Sequence, residues 1–393
     1  MSAIRSETSS TSRDATYAID WESPLEHYSS TIFKSLRRID QRKWAHAYLK
    51  GLLVTSGKKS VRRLATAVSR DPSVVQSLRQ FVSVSPWDVD EVMEELTRWA
   101  AARRPDPVWS IGRAVLPKRG DRSVGVHRYF DHSSGRTLNC QLGLGSLLCL
   151  GATQVPVDWC LHLSTAWAQD PERRRDARIP DTEQYRPLWA QALRLVDRLS
   201  ARMDSASSVV LVDMSDEPYV GYLVHGLAER RRDFVVAVPP HLVVSPVGEG
   251  VAAPVSAKAL VSAQSPETAV IRLPDGQRRI TGLQTSLVRL PGGCTGRPLG
   301  PLYRLFAETG PTRGPRPLWL TSLAHHTLTD VASTAALHTG TSAVIGSLER
   351  DFGLLDYEGR SFPGWYHHMT LVSAAYTFRR LLGSASVPSR NTA

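Results

Sequence analysis

The chain has 393 residues, of which 42% are hydrophobic and 22% are charged. This composition is typical of a globular protein with more than one domain, and it excludes a wholly disordered or fibrous chain. The formal net charge of +11 and the isoelectric point near 9.7 favour a polyanionic partner such as nucleic acid, although many basic proteins bind none.

The cysteines and the apolar runs exclude further classes. Cys140, Cys149, Cys160 and Cys294 form no CxxC pair and have no histidine at metal-ligand spacing, which predicts buried thiols in a reducing compartment. No run of 18 apolar residues occurs, so no membrane span is predicted. Residues 1–20 are rich in Ser and Thr and lack an apolar segment, which predicts a disordered tail rather than a signal peptide. We expect a cytoplasmic, nucleoid-associated protein.

Residues 21–106 predict a helical N-terminal domain for DNA binding or dimerisation, because helix formers dominate and Gly and Pro stand at breaks. Two short helices over 60–68 and 73–82, joined by a tight turn, are compatible with a helix-turn-helix. The residues expected to contact DNA are Gln76, Arg79 and Gln80 for bases and Lys58, Lys59, Arg62 and Arg63 for phosphates. An ordinary helical bundle with a basic, solvated face is the alternative interpretation.

From residue 107 the pattern changes to strands, which predicts an α/β core over 107–238. The predicted elements are strands over 108–116, 123–130 and 136–144, a helix over 182–202, a buried strand over 209–212, a helix over 218–232 and a buried strand over 234–238. Three antiparallel strands followed by helix–strand units and a closing helix are the order of an RNase H-like fold.

The rest of the chain predicts an insertion and a return to the core. Residues 239–316 are rich in Pro, Gly, Val and Thr in short alternating runs, which predicts a β-rich insertion. Residues 317–384 supply a buried strand and a mainly helical segment that complete the core, and residues 385–393 form a disordered tail. The predicted fold class is therefore α/β, an RNase H-like core with a helical N-terminal domain and a β-rich insertion.

Several short stretches between residues 45 and 380 carry a family resemblance. They are Tyr48–Leu53, Trp87-Asp88, Leu116–Gly120, Ser123–Val126, Asn139–Gln141, Val157–Trp159, Asp170, Arg173-Arg174, Asp213, Gly353-Leu354, Tyr357–Arg360, Gly364-Trp365 and His368. By their number and order, the chain resembles transposases of the insertion sequence 701 family, within the DDE group. The resemblance implies double-stranded DNA as partner, a homodimer, and three carboxylates that hold two divalent ions for phosphodiester chemistry.

The resemblance assigns a position in this chain to each of the three acids, and only one of these positions holds an acidic residue here. The first-strand pattern of the family resembles Asp-Asp-Thr-Gly-x-Pro-Lys, but here Gly112 and Arg113 occupy the acidic positions, and Arg113 would add positive charge where cations should bind. The second acid corresponds to Asp213, at the end of an apolar run where an α/β sheet presents ligands. Its alternative role is capping the next helix. The third acid falls at Ser342, with Glu349 at the position of the following Lys.

Other carboxylates could rebuild the site only from unfavourable positions. Glu349 lies about 10 Å along the helix from Ser342 by the rise per residue, too far for metal ligation, and is expected to be a surface or ion-pairing residue. Asp106 precedes the first strand, Asp121 follows it and Asp131 lies beyond it. We therefore predict that Asp213 is a vestigial ligand, that no metal is bound and that no cofactor is used, with Mg²⁺ required only if another acid restores the site.

The sequence carries only weak signals for other kinds of chemistry. His325-His326 and His367-His368 are adjacent pairs whose side chains point apart, so core or hydrogen-bonding roles are favoured over metal ligation. The Gly143-x-Gly145 pattern is interpreted as packing. Neither a phosphate-binding G-x-x-x-x-G-K-[ST] loop nor a G-x-S-x-G nucleophile elbow occurs.

Three functions follow from the sequence. The first is a transposase-derived DNA-binding protein without catalysis, acting in regulation, chromosome-end or element maintenance, or as a complex subunit. Its further DNA contacts would be Lys118, Arg119 and Arg122 after the first strand and Arg350 and Arg360 near the last helix. The second is an active metal-dependent transposase or nuclease with a rearranged site. The third is a protein-docking subunit that does not bind DNA.

Overall fold

We describe the protein from a computed structural model. The described residues are 21–104, 106–132, 134–203, 207–248, 253–291, 300–309 and 316–383. The two predicted tails and Cys294 lie outside these ranges. Within them, Cys140, Cys149 and Cys160 are buried and unpaired, as predicted, and burial raises the pKa of each thiol.

The N-terminal part of the chain is helical. Its helices are α1 (Glu22–Ile32), α2 (Ile39–Val54), α3 (Val61–Val68), α4 (Ser73–Ser83) and α5 (Val89–Ala101). The side chain of Asp88 caps α5 by accepting a hydrogen bond from the backbone nitrogen of Asp90. Apolar residues such as Leu64, Leu78 and Phe81 are buried, which leaves the polar faces of α3 and α4 outside. The two short helices predicted here are present, with bounds that differ by one residue.

The core strands form one sheet with the predicted topology. They are β1 (Val108–Pro117), β2 (His127–Asp131), β3 (Arg136–Leu150), β4 (Thr153–Leu161), β5 (Val210–Asp213) and β6 (Phe234–Val238). β3 pairs antiparallel with β1, β2 and β4, whereas β5 is parallel to both β1 and β6. The helix α8 (Leu188–Arg202) precedes β5, α9 (Val220–Glu229) connects β5 to β6, and α11 (Leu328–Asp351) and α12 (Phe362–Leu381) follow later in the chain. The RNase H-like core is confirmed.

Four features of this region differ from the predicted elements, the first being that the strand predicted over 123–130 begins only at His127. β4 was not predicted; it contains Pro156 and Asp158, residue types that are uncommon in strands, and the pairing register shifts at this point, between Ser146 and Leu147 of β3. The helix predicted from residue 182 begins only at Leu188, because Pro187 restricts the residue before it and stands at the N-cap. Two short helices, α6 (Thr165–Gln169) and α7 (Pro171–Ala177), fill part of the intervening segment.

The predicted β-rich insertion is present and extends the core sheet. Its elements are β7 (Val243–Pro246), β8 (Val255–Ser256), α10 (Ala257–Ser262), β9 (Glu267–Arg272), β10 (Arg278–Arg289) and β11 (Tyr303–Thr309). The buried strand predicted to follow the insertion is β12 (Leu318–Thr321). β12 pairs antiparallel with β6 and with β11, and the order continues through β10, β7 and β8. The insertion therefore continues the sheet beyond β6 instead of forming a separate layer.

Close packing of glycines under tryptophans holds the sheet against α12. A Cβ atom on Gly145 would lie 2.8 Å from the Trp159 ring, and one on Gly143 would lie 3.2 Å from the Trp365 ring. The indole nitrogen of Trp159 donates to the Ser373 hydroxyl of α12 at 2.8 Å. The packing role predicted for Gly143 and Gly145 is confirmed.

The histidine pair of α12 has the predicted core role and should make the fold sensitive to acid. Burial lowers the pKa of both His367 and His368 to about 4, although hydrogen bonds to backbone carbonyls partly oppose this. In an unfolded chain both would titrate near a pKa of about 6.5. As the pH falls from about 6.5 towards 4, the unfolded state binds more protons than the folded state, so the free energy of unfolding should fall.

Urea unfolding between about pH 7 and pH 5 measures this effect. Replacing both histidines, as His367→Gln with His368→Gln, should reduce the pH dependence without removing it, because burial also lowers the pKa of His162 and His338. A stability profile that is flat over this range would contradict the prediction. His325 and His326, in contrast, are exposed.

Candidate functional site

The parallel pairing of β1 with β5 brings two predicted site residues side by side. The register runs from Trp109 opposite Val210 to Ile111 opposite Val212, so the next pair along the two strands is Gly112 and Asp213. Both face α11. A Cβ atom on Gly112 would point at that helix, and Leu211, two residues before Asp213 on the same strand face, is buried in one cluster with α11 residues.

Asp213 is accessible and paired with a histidine. Its Oδ1 accepts a hydrogen bond from the backbone nitrogen of Ser215 at 2.9 Å, and its Oδ2 lies 3.4 Å from Nε2 of His338, with 34% of the Asp213 side chain exposed. Burial lowers the pKa of His338, and the carboxylate partly offsets that shift. The alternative capping role is not seen, because α9 begins at Val220 without a side-chain cap.

His338 was not predicted as a site residue, although the sequence carries a signal for it. His338 lies four residues before Ser342 on α11 and therefore one turn away on the same side of the helix. Ser342 itself is exposed. A carboxylate and an imidazole are thus the ionisable groups in contact at the end of β5.

The space beside Asp213 is closed by α11. A Cβ atom on Gly112 would lie 2.5 Å from Cδ1 of Ile345 and 2.7 Å from Cγ2 of Thr341. The hydroxyls of Ser110 and Thr341 form a hydrogen bond of 2.5 Å that joins the helix to β1 at this level. The backbone of Gly112 therefore packs directly on the helix, with no room for a larger side chain unless α11 or Ile345 moves.

Arg113 does not face this site, and the expectation that it would is wrong. Side chains alternate along a strand, so Arg113 points to the opposite face of the sheet from Gly112. There its Nη2 donates to Oδ1 of Asp216 at 2.8 Å, and its Nη1 donates to Asp216 and to the Tyr129 hydroxyl. Burial opposes ionisation of Asp216, but the ion pair outweighs it and lowers the Asp216 pKa.

The remaining carboxylates do not assemble around Asp213. Glu349 is half-buried, and burial raises its pKa. Asp106 and Asp121 are exposed outside β1, and Asp131 ends β2, which β3 separates from β1. Among the described residues, no group of three or more His, Cys, Asp or Glu side chains could hold a metal ion. The residues around Asp213 therefore do not fit the two-ion centre that the family resemblance implies.

The structure leaves most of the predicted DNA contacts of the N-terminal domain accessible. Gln76, Arg79 and Gln80 are exposed on α4, on the side opposite its buried apolar residues. Lys58, Arg62 and Arg63 are also exposed, and Nζ of Lys58 lies 3.4 Å from Oε1 of Glu358. Six of the seven residues predicted to contact DNA from this domain are therefore exposed.

Lys59 is the exception, and the phosphate contact predicted for it is wrong. Only 5% of the residue is exposed. Its ammonium group donates to the carbonyls of Leu52, at 2.9 Å, and Thr55 at the end of α2, and its backbone nitrogen donates to the Asp356 carboxylate. Burial lowers the Lys59 pKa to about 8. The residue caps a helix and ties it to the loop after α11.

The second predicted group of DNA contacts is divided between different parts of the structure. Lys118 is half-buried and donates to the carbonyls of Tyr357 at 2.8 Å and Leu355 at 3.3 Å, so it is held inside rather than presented to solvent. Arg119 is exposed. Arg122 and Arg360 line one cavity of about 500 Å³, together with Arg173, Asp121, Asp176 and Trp167. Arg350 is exposed but lines a different cavity.

The topology and the acid at the end of β5 define an RNase H-like protein. The family described as DDE superfamily endonuclease matches residues 31–265, and the chain belongs to that family. Among solved structures, the chain is similar to the piggyBac transposase in a synaptic complex with hairpin DNA, at 10% identity over 93% of this chain and 73% of that chain, with a TM-score of 0.36. No curated protein matches the sequence. In the part of the chain that the structure describes, no helix has the length and apolar character needed to cross a membrane.

Proposed function

We propose that this chain is a transposase-derived, DNA-binding member of its family that has lost metal-dependent strand cleavage. One observation carries the proposal: Gly112 stands beside Asp213, where the resemblance to insertion sequence 701 family transposases puts a carboxylate, and α11 leaves no room for one. Ser342 stands where the third acid is expected. A single carboxylate binds Mg²⁺ weakly and cannot hold a pair of ions.

The charge and the exposed polar surface support DNA as the partner. The chain carries a net charge of +11, and Gln76, Arg79 and Gln80 are exposed together on a short helix after a tight turn. Arg and Gln side chains read guanine and adenine edges in the major groove. By analogy with proteins that join two DNA ends, we propose a homodimer on the nucleoid, with a regulatory, element-maintenance or subunit role.

DNA binding is tested by retention of sheared genomic DNA on the purified protein at near-physiological salt, followed by sequencing. We expect enrichment of a recurring motif. Arg79→Ala should weaken binding to that motif about tenfold, since a good base contact contributes about 1–3 kcal/mol. Arg136→Ala, at an exposed position on β3, is the matched control and should bind normally. Uniform retention, or none, would overturn sequence-specific binding.

Loss of cleavage is tested with the same motif as substrate. Neither Mg²⁺ nor Mn²⁺ should support nicking or strand transfer, and Asp213→Ala should bind DNA as the parent does. Metal-dependent nicking that disappears in Asp213→Ala would instead establish the active transposase or nuclease with a rearranged site.

A protein-docking subunit without DNA binding is the second candidate, and an exposed aromatic cluster favours it. Tyr219 and Tyr222, at the start of α9, are 62% and 60% exposed, and the Tyr222 ring stacks on Trp189 with centroids 5.2 Å apart. Exposed aromatic side chains are enriched at protein interfaces. Absence of any DNA affinity at low salt would move the assignment to this candidate.

A further inference from the structure

A basic cavity lies between the N-terminal helices and the last two helices. Its volume is about 1050 Å³, and its walls come from the end of α2, the segment that follows it, and the carboxyl ends of α11 and α12. The charged residues that line it are Lys50, Lys59, Arg350, Arg379 and Arg380, with Glu22 and Asp351. Five cationic groups against two carboxylates leave an excess of three positive charges within one cavity.

These cations are crowded against one another. Burial and then the neighbouring Arg380 lower the pKa of Arg379. Burial lowers the pKa of Lys59 to about 8; Asp356 opposes this shift, whereas Arg379 adds to it. Lys50 forms an ion pair with Glu22 at 2.8 Å, so the excess of positive charge in the cavity lies near the residues of α11 and α12. An anion in the cavity would offset the repulsion between these side chains.

The cavity is also lined by two residues that carry hydroxyl groups, Thr55 and Ser347. The Thr55 hydroxyl oxygen is buried and has no hydrogen-bond partner, and Thr55 as a whole is 8% exposed. The hydroxyl of Ser347 lies 3.4 Å from Nη2 of Arg380 and 3.0 Å from the Asp351 carboxylate. Arginine forks and hydroxyl groups together suit the several oxygens of a phosphate.

We propose that this cavity binds a multiply charged phosphate group, a function separate from strand cleavage and beyond the proposed reading of DNA by α4. Its volume accommodates a ligand of nucleotide size, and the Trp21 side chain also lines it. The same chemistry can come from a free polyphosphate or nucleotide or from the backbone of bound DNA. The experiment below distinguishes these sources.

The test is a calorimetric titration of the full-length protein with inorganic triphosphate at constant ionic strength. We expect saturable binding to one site. Arg350→Gln and Arg379→Gln should each weaken it about tenfold, since a charged hydrogen bond contributes about 1.5–3 kcal/mol, and Arg350→Lys should retain part of the affinity. Arg136→Gln, outside the cavity, is the control. Absence of saturable binding, or an equal loss in the control, would overturn the proposal.

Arg350 is exposed, so its variants test the site even if Arg379→Gln folds poorly. A second titration in the presence of duplex DNA separates the two sources. If DNA displaces triphosphate, the cavity receives the DNA backbone, and if both bind together, it receives a free ligand. Because triphosphate is titrated alone in the first experiment, failure of DNA binding by α4 would not affect that result.

Discussion

Replacing Gly112 by aspartate is expected to destabilise the protein by about 3–5 kcal/mol rather than to restore a metal site. The new Cβ atom would lie 2.5 Å from Cδ1 of Ile345 and 2.7 Å from Cγ2 of Thr341, so these side chains or α11 itself would have to shift away from β1. The added carboxylate would also enter a tightly packed contact without a cation to balance it. Because whole domains are stable by about 5–15 kcal/mol, this is a large fraction of the total.

Matched variants separate crowding from charge in this prediction. Gly112→Ala adds only the methyl group and should lose about 1–3 kcal/mol. Gly221→Ala, on α9, is the control, because a Cβ atom there meets no heavy atom within 4 Å; it should be neutral or slightly stabilising. Combining Gly112→Asp with Ile345→Ala should give less than the sum of the two single losses, since the nearest obstacle is removed.

Urea unfolding followed by tryptophan fluorescence measures all of these variants. A Gly112→Asp protein as stable as the parent would contradict the prediction, because it would show that the contact between α11 and β1 can open at little cost in free energy. If that variant also cleaved DNA with Mg²⁺, the closed packing would have no part in the loss of catalysis.

The sequence was sufficient to predict the elements that position this site. The apolar run before Asp213 and the strand that contains Gly112 predicted two neighbouring strands, and their register in the sheet sets these two residues side by side. Buried parallel strands can be predicted from the local sequence, because both faces of such a strand are covered and the strand is therefore a continuous apolar run.

The features that could not be predicted depend on contacts between distant segments. Lys59 reads as one of several basic residues before a helix, but its burial depends on α2 and on Asp356, 297 positions away. His338 lies near Asp213 only because α11 crosses the end of β5. Asp158 and Pro156 argued against a strand locally, whereas partners from α8 and a bulge in the pairing accommodate them. For Lys59 and Asp158, sequence patterns carry no signal for such partners.

The other large effect is expected at Asp158, whose carboxylate is buried between two arginines. Only 4% of its side chain is exposed. It accepts hydrogen bonds from Arg198 at 2.6 Å, from Arg202 at 2.8 Å and from the backbone nitrogen of Trp159 at 2.7 Å. Asp158→Ala would leave the largely buried guanidinium group of Arg198 without a carboxylate partner and Arg202 with Asp90 alone, and it should reduce the free energy of unfolding by about 3–5 kcal/mol.

The prediction is checked against a second ion pair of the same residue types. Asp197 pairs with Arg230 at 2.6 Å but is 51% exposed, so Asp197→Ala should lose less than about 1 kcal/mol in the same urea series. Arg202 also binds Asp90 of α5 at 2.8 Å, so Asp158→Ala should loosen the N-terminal helices from the sheet and increase hydrogen exchange in α5. Equal losses of unfolding free energy in the two variants would mean that the Asp158 ion pairs contribute no more to stability than an exposed ion pair. Unchanged hydrogen exchange in α5 would mean that the Asp158 ion pairs do not hold the N-terminal helices against the sheet.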